Sequence, residues 1–267
     1  MRRPSPITWL TTLSLDAPLV AIVWQQFFAP SAPLHKRLII FAAVWLGYTA
    51  DRWFDSFRYK EPILHRHRFA RRNQRPILVA WVAIFVLSVA LAIGTLTLQE
   101  LAAGFALMTL SIIFTFLIQK RILDPFQAFA KPLITAFLIS GSVILFSFPL
   151  DRFFTSTCLP LASAAFLLFF INCSLIRFWD KDADTRQDPA ELRGQAIAKP
   201  AAKVSTILLI LIIIFILIDR HLPLAIAASL SLLSLLTLDR LSARIPLESR
   251  RAYADLALLT PLLFILI

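Results

Sequence analysis

Apolar segments of near membrane-spanning length recur along the whole chain, and short charged loops separate them. A helix needs about 20 mainly apolar residues to cross the hydrocarbon core of a bilayer. Hydrophobic residues make up 58% of the 267 positions. Charged residues make up only 16%, well below the roughly 25% of soluble domains. The sequence therefore indicates a polytopic membrane protein and excludes a soluble domain with a single anchor.

The apolar segments predict helices because they are continuous, whereas the strands of a membrane barrel alternate apolar and polar residues over about 10 positions. Nine segments qualify as candidate spans, and the last three are the shortest. They cover residues 7–28, 36–54, 76–97, 100–119, 126–149, 159–179, 201–218, 222–238 and 252–267. No linker divides them, so we expect one all-α domain over residues 1–267.

Positive charge is unevenly divided between the loops. If the N-terminus, with Arg2 and Arg3, is cytoplasmic, most basic loop residues follow spans 2, 4, 6 and 8, and few fall in the outer loops. This distribution is the positive-inside pattern of membrane proteins. It predicts a cytoplasmic N-terminus and nine spans. It also accounts for the net charge of +11 without a nucleic-acid partner, because the arginines are spread beside several spans.

Two acidic rows follow spans 2 and 6. Asp51 and Asp55 lie in GYTADRWFDSFR, and Asp180, Asp184 and Asp188 lie in RFWDKDADTRQD. On a helix, residues four apart share a face and are about 5–6 Å from each other. Both rows follow even-numbered spans, so we expect both at the cytoplasmic face. Carboxylates this close repel one another, so the pattern predicts a cation between them.

The cation could be a metal ion or a basic side chain. Mg²⁺ binds one or two carboxylates and completes its shell with water and substrate phosphate, so two facing rows could hold two ions over one diphosphate. The alternative is a set of surface salt bridges, since Arg177 and Asp180, and Asp182 and Arg186, have helical spacing. Two rows at one face favour the metal interpretation.

The nine spans and two acidic rows together resemble the UbiA superfamily of intramembrane prenyltransferases. That family has nine transmembrane helices, a motif N-D-x-x-D-x-x-x-D after helix 2 and a motif D-x-x-x-D after helix 6. GYTADRWFD is similar to the first motif at Asp51 and Asp55, and DKDADTRQD is similar to the second at Asp180, Asp184 and Asp188. The resemblance implies a nine-helix UbiA-like bundle with its active site toward the cytoplasm.

One further stretch fits the family pattern, and two positions depart from it. QKRILDPFQAFAK resembles the Lys-Arg pair that members carry after helix 4, here Lys120 and Arg121. However, Gly47 and Tyr48 replace the Asn and Asp that begin the first motif, so the first metal site lacks a ligand that the Tyr48 hydroxyl replaces only in part. Since the familiar quinone-pathway enzymes keep that Asn, the resemblance indicates a divergent member and does not identify the acceptor.

The resemblance implies a reaction and a set of roles. The expected reaction is the Mg²⁺-dependent transfer of an allylic prenyl group from a prenyl diphosphate to a lipophilic, for example aromatic, acceptor. Asp51 and Asp55 are assigned to one Mg²⁺, and Asp180 and Asp184 to a second. The candidates for substrate contact are Lys120, Arg121, Arg58, Tyr48 and Lys131. The candidates for acid–base chemistry are Asp188 and Asp16.

Asp16 and Lys131 also stand out without the resemblance, because each lies inside an apolar span. Ionisable residues there usually face the bundle interior and have a function. A phosphate or a carboxylate is the expected partner of Lys131, although its ammonium could also reach the cytoplasmic edge. Asp255, in the short last span, is expected to be interfacial.

The expected location is a bacterial inner membrane, and the expected partners are a prenyl diphosphate, a lipophilic acceptor and membrane lipids. No protein partner is predicted. The basic stretch LHRHRFARRNQRP is expected to form a short amphipathic cap near anionic lipid. Two alternatives remain: a membrane transporter that uses Asp16 and Lys131 as pathway residues, and a non-catalytic UbiA-like membrane protein.

Overall fold

The computed structural model describes residues 6–58, 65–120, 122, 127–149, 155, 158–180 and 192–265, with backbone only at 58, 127–128 and 192–199. These residues form twelve α-helices and one 3₁₀ turn, Ser242–Arg244, and they contain no strand. The helices are α1 Pro6–Thr12, α2 Asp16–Phe28, α3 Leu34–Arg58, α4 His65–Arg72, α5 Gln74–Thr95, α6 Leu98–Gln119, α7 Gln127–Leu145, α8 Cys158–Trp179, α9 Leu192–Ile218, α10 Leu222–Leu241, α11 Leu247–Ala257 and α12 Leu262–Ile265. The predicted all-α class is confirmed for this part of the chain.

Five of the described helices are long and apolar enough to cross a bilayer. They correspond to α5, α6, α8, α10 and, from Pro200 onward, α9. The pair α1 and α2 would make a sixth span, but its two helices meet at 86°. The apolar part of α7, Phe129–Leu145, is shorter than these. The fold is therefore that of a helical membrane protein.

The structure differs from the predicted segments mainly at two breaks. The first predicted span is interrupted between α1 and α2, where Ser14 has a left-handed backbone with φ of 60°. The last is interrupted between α11 and α12, where Pro261 immediately precedes the final short helix. A left-handed residue and a proline without a backbone N–H both prevent a continuous α-helix.

Helix α8 is the centre of the bundle. It packs against α7, α9, α10 and α11, and most of its residues are buried. In contrast, α5 has no buried residue. Its exposed apolar side chains, such as Val79, Leu87 and Ile93, are suited to contact with lipid. The apolar core thus forms around α8, and the polar side chains collect near one end of it.

Helix α4 packs against that end of the bundle, as the amphipathic cap was predicted to do. It contacts α1, α3 and α5. Its first backbone N–H, at His65, donates to Oε1 of Glu248 on α11 at 2.7 Å. Arg66, His67 and Ala70 are buried, whereas Arg71 and Arg72 are exposed. The predicted short helix is therefore present, but Arg66 points inward rather than toward lipid, and α4 brings buried basic residues to the ends of α3 and α8.

Candidate functional site

The first acidic row is formed by the last turns of α3. Asp51 and Asp55 are one turn apart, so the helix directs both carboxylates to the same side. Lys131, near the start of α7, lies between them. Its Nζ is 2.8 Å from Oδ1 of Asp51 and 3.4 Å from Oδ2 of Asp55. The sequence predicted a phosphate or a carboxylate as the partner of Lys131. In the structure, two carboxylates share the Lys131 ammonium group.

The second acidic row begins where α8 ends. The backbone N–H of Asp180 still donates to the carbonyl of Ile176 at 3.0 Å, which fixes Asp180 one step past the last helical residue. Its Oδ2 accepts a hydrogen bond from Nη2 of Arg66 at 2.8 Å. Both side chains are buried, with 7% and 8% of their surfaces exposed. Asp184 and Asp188, the remaining members of this row, lie outside the described residues.

Helix α4 connects the two rows. Arg66 binds Asp180, and the adjacent His67 is buried within electrostatic reach of Asp51 and Lys131. Burial holds the pKa of His67 well below its ordinary value, and the positive charges of Arg66 and Arg52 lower it further. His67 is therefore neutral near pH 7. The helix α4 thus contacts α3 through packing and the end of α8 through the Arg66–Asp180 pair.

A second polar layer lies deeper, between α2 and α3. Asp16, the first residue of α2, is 5% exposed, and Arg52 of α3 is 4% exposed. Nη2 of Arg52 lies 3.8 Å from Oδ1 of Asp16, which also accepts the Ala17 backbone N–H at 3.1 Å. Within the described part of the chain, none of the three Arg52 side-chain nitrogens has a hydrogen-bond partner. This buried cation therefore keeps donors available to water or to an anion.

The same layer continues into α8 and α11. Nδ2 of Asn172 donates to Oδ1 of Asp255 at 2.8 Å, and Asp255 is only 6% exposed. One turn before Asp255, the Arg251 guanidinium lies 5.6 Å from the centre of the Tyr48 ring. Asp255 is thus an interior residue rather than the interfacial one that the sequence suggested. Asn172 inside an apolar segment, and Arg251 and Asp255 at helical spacing, were the signals that could have revealed this layer.

Two small cavities adjoin these buried residues. One is lined by Tyr48, Asn172, Cys173 and Asp255 together with apolar side chains of α2, α7 and α8. The other lies between Asp16 and Asp255 and is otherwise apolar. Each has room for about one water molecule. These cavities could hydrate the buried charges, but they are too small for a prenyl chain.

The remaining predicted site residues have other surroundings. Tyr48 faces Arg251 and the first cavity rather than the acidic pair of α3. Lys120 follows α6, is exposed, and has its ammonium 5.7 Å above the Phe116 ring. Arg121 and the side chain of Arg58 lie outside the described residues, like Asp184 and Asp188. The structure therefore unites Asp51, Asp55 and Lys131, with Asp180 joined to them through α4.

The acidic residues can be compared with what Mg²⁺ requires. Carboxylate oxygens are its preferred protein ligands, and one or two of them suffice when a phosphate supplies more. The carboxylates of Asp51 and Asp55 both approach one position where a cation can bind, but the ammonium group of Lys131 occupies that position. Among the described residues, no three His, Cys, Asp or Glu side chains form a metal-binding group. Carboxylate oxygens therefore suit Mg²⁺, but Lys131 already neutralises part of the negative charge of the first row.

No family model, curated protein or solved structure matches this chain. The resemblance to the UbiA superfamily therefore remains an expectation from the sequence, based on the predicted spans, the two acidic rows and the Lys120–Arg121 pair.

Proposed function

We propose that the protein is a membrane-embedded prenyltransferase of the UbiA type. It would transfer an allylic prenyl group from its diphosphate to a lipophilic acceptor, with Mg²⁺ as cofactor. One observation carries the proposal: α4 packs against α3, which bears Asp51 and Asp55, and Arg66 of α4 binds Asp180 at the end of α8. Acidic and basic side chains of four helices are thereby concentrated at one end of an apolar bundle.

The chemistry of prenyl transfer explains why such a mixture of charges is useful. When the bond between the allylic carbon and the diphosphate oxygen breaks, negative charge develops on the leaving group, and fixed cations stabilise it. Lys131 and Arg66 pair with residues of the two acidic rows, and Arg52 pairs with Asp16. Lys120, Arg121 and Arg58 are proposed to add further contacts to the diphosphate from the neighbouring loops.

Mg²⁺, when bound, would supply positive charge to the diphosphate oxygens. Asp180 and Asp184 are proposed to hold it in the second row, and the resemblance assigns Asp51 and Asp55 to the same role in the first. Asp180 accepts a hydrogen bond from Arg66 through Oδ2, and the further lone pairs of its carboxyl oxygens could bind a second cation.

The acceptor must lose a proton when its new bond to the prenyl carbon forms. Asp16 and Asp188 are proposed as the groups that take it. The position of Asp16 supports this role, because it lies beside Arg52 and a water-sized cavity, below the acidic rows. A carboxylate at this position could take the proton that the acceptor loses.

The finer topology also belongs to this proposal. Nine spans result if the α1–α2 pair, α3, α7 and the α11–α12 pair cross the membrane together with the five helices already long enough. The N-terminus and the acidic rows would then face the cytoplasm, as the positive loops indicate. The proposed location is a bacterial inner membrane.

The test is direct detection of a prenylated product. The purified protein in nanodiscs is incubated with a panel of prenyl diphosphates, Mg²⁺ and a membrane lipid extract, and products are identified by mass spectrometry. We expect a prenylated lipid with the wild type and none with Asp184→Asn. The matched control is Asp219→Asn, which changes a half-exposed Asp after α9 and should leave transfer unchanged.

Two results would contradict the proposal. The first is the absence of any prenylated product across the panel with folded wild-type protein. The second is equal transfer by the wild type and Asp184→Asn. Flux of an ion or anionic metabolite through proteoliposomes, without a prenylated product, would instead establish the transporter alternative.

A further inference from the structure

The acidic pair on α3 already holds a cation that belongs to the protein. Lys131 Nζ lies within 2.8 Å of Asp51 and 3.4 Å of Asp55. The three side chains come from two helices, α3 and α7, so the contact is a feature of their packing. The Lys131 side chain is 23% exposed and that of Asp51 is 38% exposed, whereas Asp55 is buried, so the contact is accessible from outside the bundle at Asp51.

The helix face that carries this pair offers little to a metal beyond the two carboxylates. Gly47, one turn before Asp51, contributes no side chain, and a Cβ atom placed there would meet open space. Tyr48, three residues before Asp51, faces Arg251 and an interior cavity instead. The two positions that could complete a set of ligands on α3 therefore supply none.

A lysine competes effectively for such a position. Its ammonium is attached to α7, so it competes at a high effective concentration, as any tethered group does. Mg²⁺ must also give up tightly bound water before it reaches the carboxylates, and it does so reluctantly. With only two carboxylates available, both effects favour Lys131 over a divalent ion.

We infer that Lys131 is the resident cation of the first acidic row, and that Asp51 and Asp55 position this lysine rather than a metal ion. An ammonium group has three N–H donors, and the two aspartates accept two of them. The third donor remains for an anionic oxygen. A phosphate oxygen of the substrate is the chemical class that fits it, and that identity rests on the proposed function.

The inference changes the expected number of metal ions. In the wild type, divalent ions would be confined to the second row, and the first row would contribute a fixed positive charge through Lys131. Removal of the Lys131 charge would leave two facing carboxylates without a cation. These carboxylates would then become a site for a divalent ion.

The test counts Mn²⁺ bound to the full-length protein in detergent by electron paramagnetic resonance, without any prenyl substrate. We expect Lys131→Met to bind about one more Mn²⁺ ion per chain than the wild type, since two neighbouring carboxylates can hold one such ion when water fills its remaining positions. Adding Asp51→Asn to Lys131→Met should remove that extra ion. Asp51→Asn alone should leave the wild-type count unchanged.

Two controls separate charge from structure. Lys131→Arg keeps the cation and should bind as many ions as the wild type. Lys203→Met removes an exposed lysine of α9 that has no proposed role and should also leave the count unchanged. Thermal unfolding is followed in parallel, because Lys131→Met should be less stable than the wild type and should regain stability when Mn²⁺ is added.

The inference is overturned if Lys131→Met binds no additional ion, or if Asp51→Asn alone loses one. It is also overturned if Lys131→Met is destabilised and Mn²⁺ restores none of its stability. These results are independent of prenyl transfer. A failure to detect any prenylated product would contradict the proposed function while leaving the ion counts, and thus the role of Lys131, intact.

Discussion

Arg66 of α4 donates a hydrogen bond to Asp180 at the end of α8, with 2.8 Å between Nη2 and Oδ2. Fewer than a tenth of either side chain is exposed, so the pair is a buried ion pair and not a surface contact. It joins residues that are 114 positions apart in the sequence. The short helix α4 is therefore held against the core helix of the bundle by charge.

The Arg66–Asp180 pair should be important for stability. Arg66→Met leaves the Asp180 carboxylate buried without its cation, and breaking a buried pair from one side costs about 3–5 kcal/mol. We expect a correspondingly lower unfolding temperature in detergent. The matched control is Arg72→Met on the same helix, where the side chain is exposed and the change should be within about 0.5 kcal/mol. Equal stability of the two variants would contradict this account of α4.

The hydrogen bond between Asn172 and Asp255 provides a second prediction. Asn172→Leu removes the donor to a carboxyl group that is 6% exposed, and leaving a buried group unsatisfied costs about 1–3 kcal/mol. Ser88→Ala is a suitable control, because its hydroxyl donates to the Phe85 carbonyl of its own helix, α5. Thermal unfolding of both variants measures the difference. An Asn172→Leu protein as stable as Ser88→Ala would show that Asp255 does not need this donor.

The sequence predicts the helical class and much of the site, and the reasons differ from residue to residue. Long apolar runs predict α5, α6 and α8 because such helices need only composition and length. The four-residue spacing of Asp51 and Asp55 predicts their shared helix face. The spacing gives no information on which cation lies between them, because Lys131 reaches them only through the packing of α7 against α3.

The interior polar layer was harder to predict. Asp255 is near the end of a short apolar segment, where an aspartate is ordinarily interfacial. Its burial depends on Asn172 and Arg251, which belong to separate stretches of the chain. The break between α1 and α2 was equally hard to predict from the sequence. It occurs at Ser14, which has a left-handed conformation, and no glycine marks the position. Tertiary packing decides both features.

His67 predicts how stability depends on pH. Its folded-state pKa lies well below its ordinary value of about 6.5, because the side chain is buried beside Arg66 and Arg52. The unfolded chain therefore binds a proton at a higher pH than the folded chain does. The corresponding stability is present above about pH 6.5 and is lost as the pH falls toward the folded-state pKa. Asp51 and Lys131 also act on this ring, in opposite directions.

The measurement compares the unfolding temperature at neutral and at mildly acidic pH. We expect the decrease on acidification to be smaller in His67→Gln than in the wild type, because the variant has no imidazole to protonate. Carboxylates away from His67 contribute equally to both proteins, so their effect cancels in the comparison. His65→Gln, at the start of the same helix, should keep the wild-type decrease. An identical pH dependence of His67→Gln and the wild type would contradict the burial of a neutral His67.

Arg52 offers a final prediction, which concerns ligand binding. Its guanidinium is 4% exposed, lies 3.8 Å from Asp16, and has no hydrogen-bond partner among the described residues. Burial of a cation is costly unless its donors are satisfied, so an anion that reaches Arg52 should be bound and should stabilise the fold. We therefore expect inorganic diphosphate with Mg²⁺ to raise the unfolding temperature of the wild type, and to raise that of Arg52→Gln much less.

Arg220→Gln changes an arginine after α9, at the opposite end of that helix from the site, and should respond as the wild type does. If diphosphate stabilised Arg52→Gln as strongly as the wild type, the free donors of Arg52 would have no part in binding the anion. The diphosphate would then have to be held by Lys131, Arg66 and the loops alone.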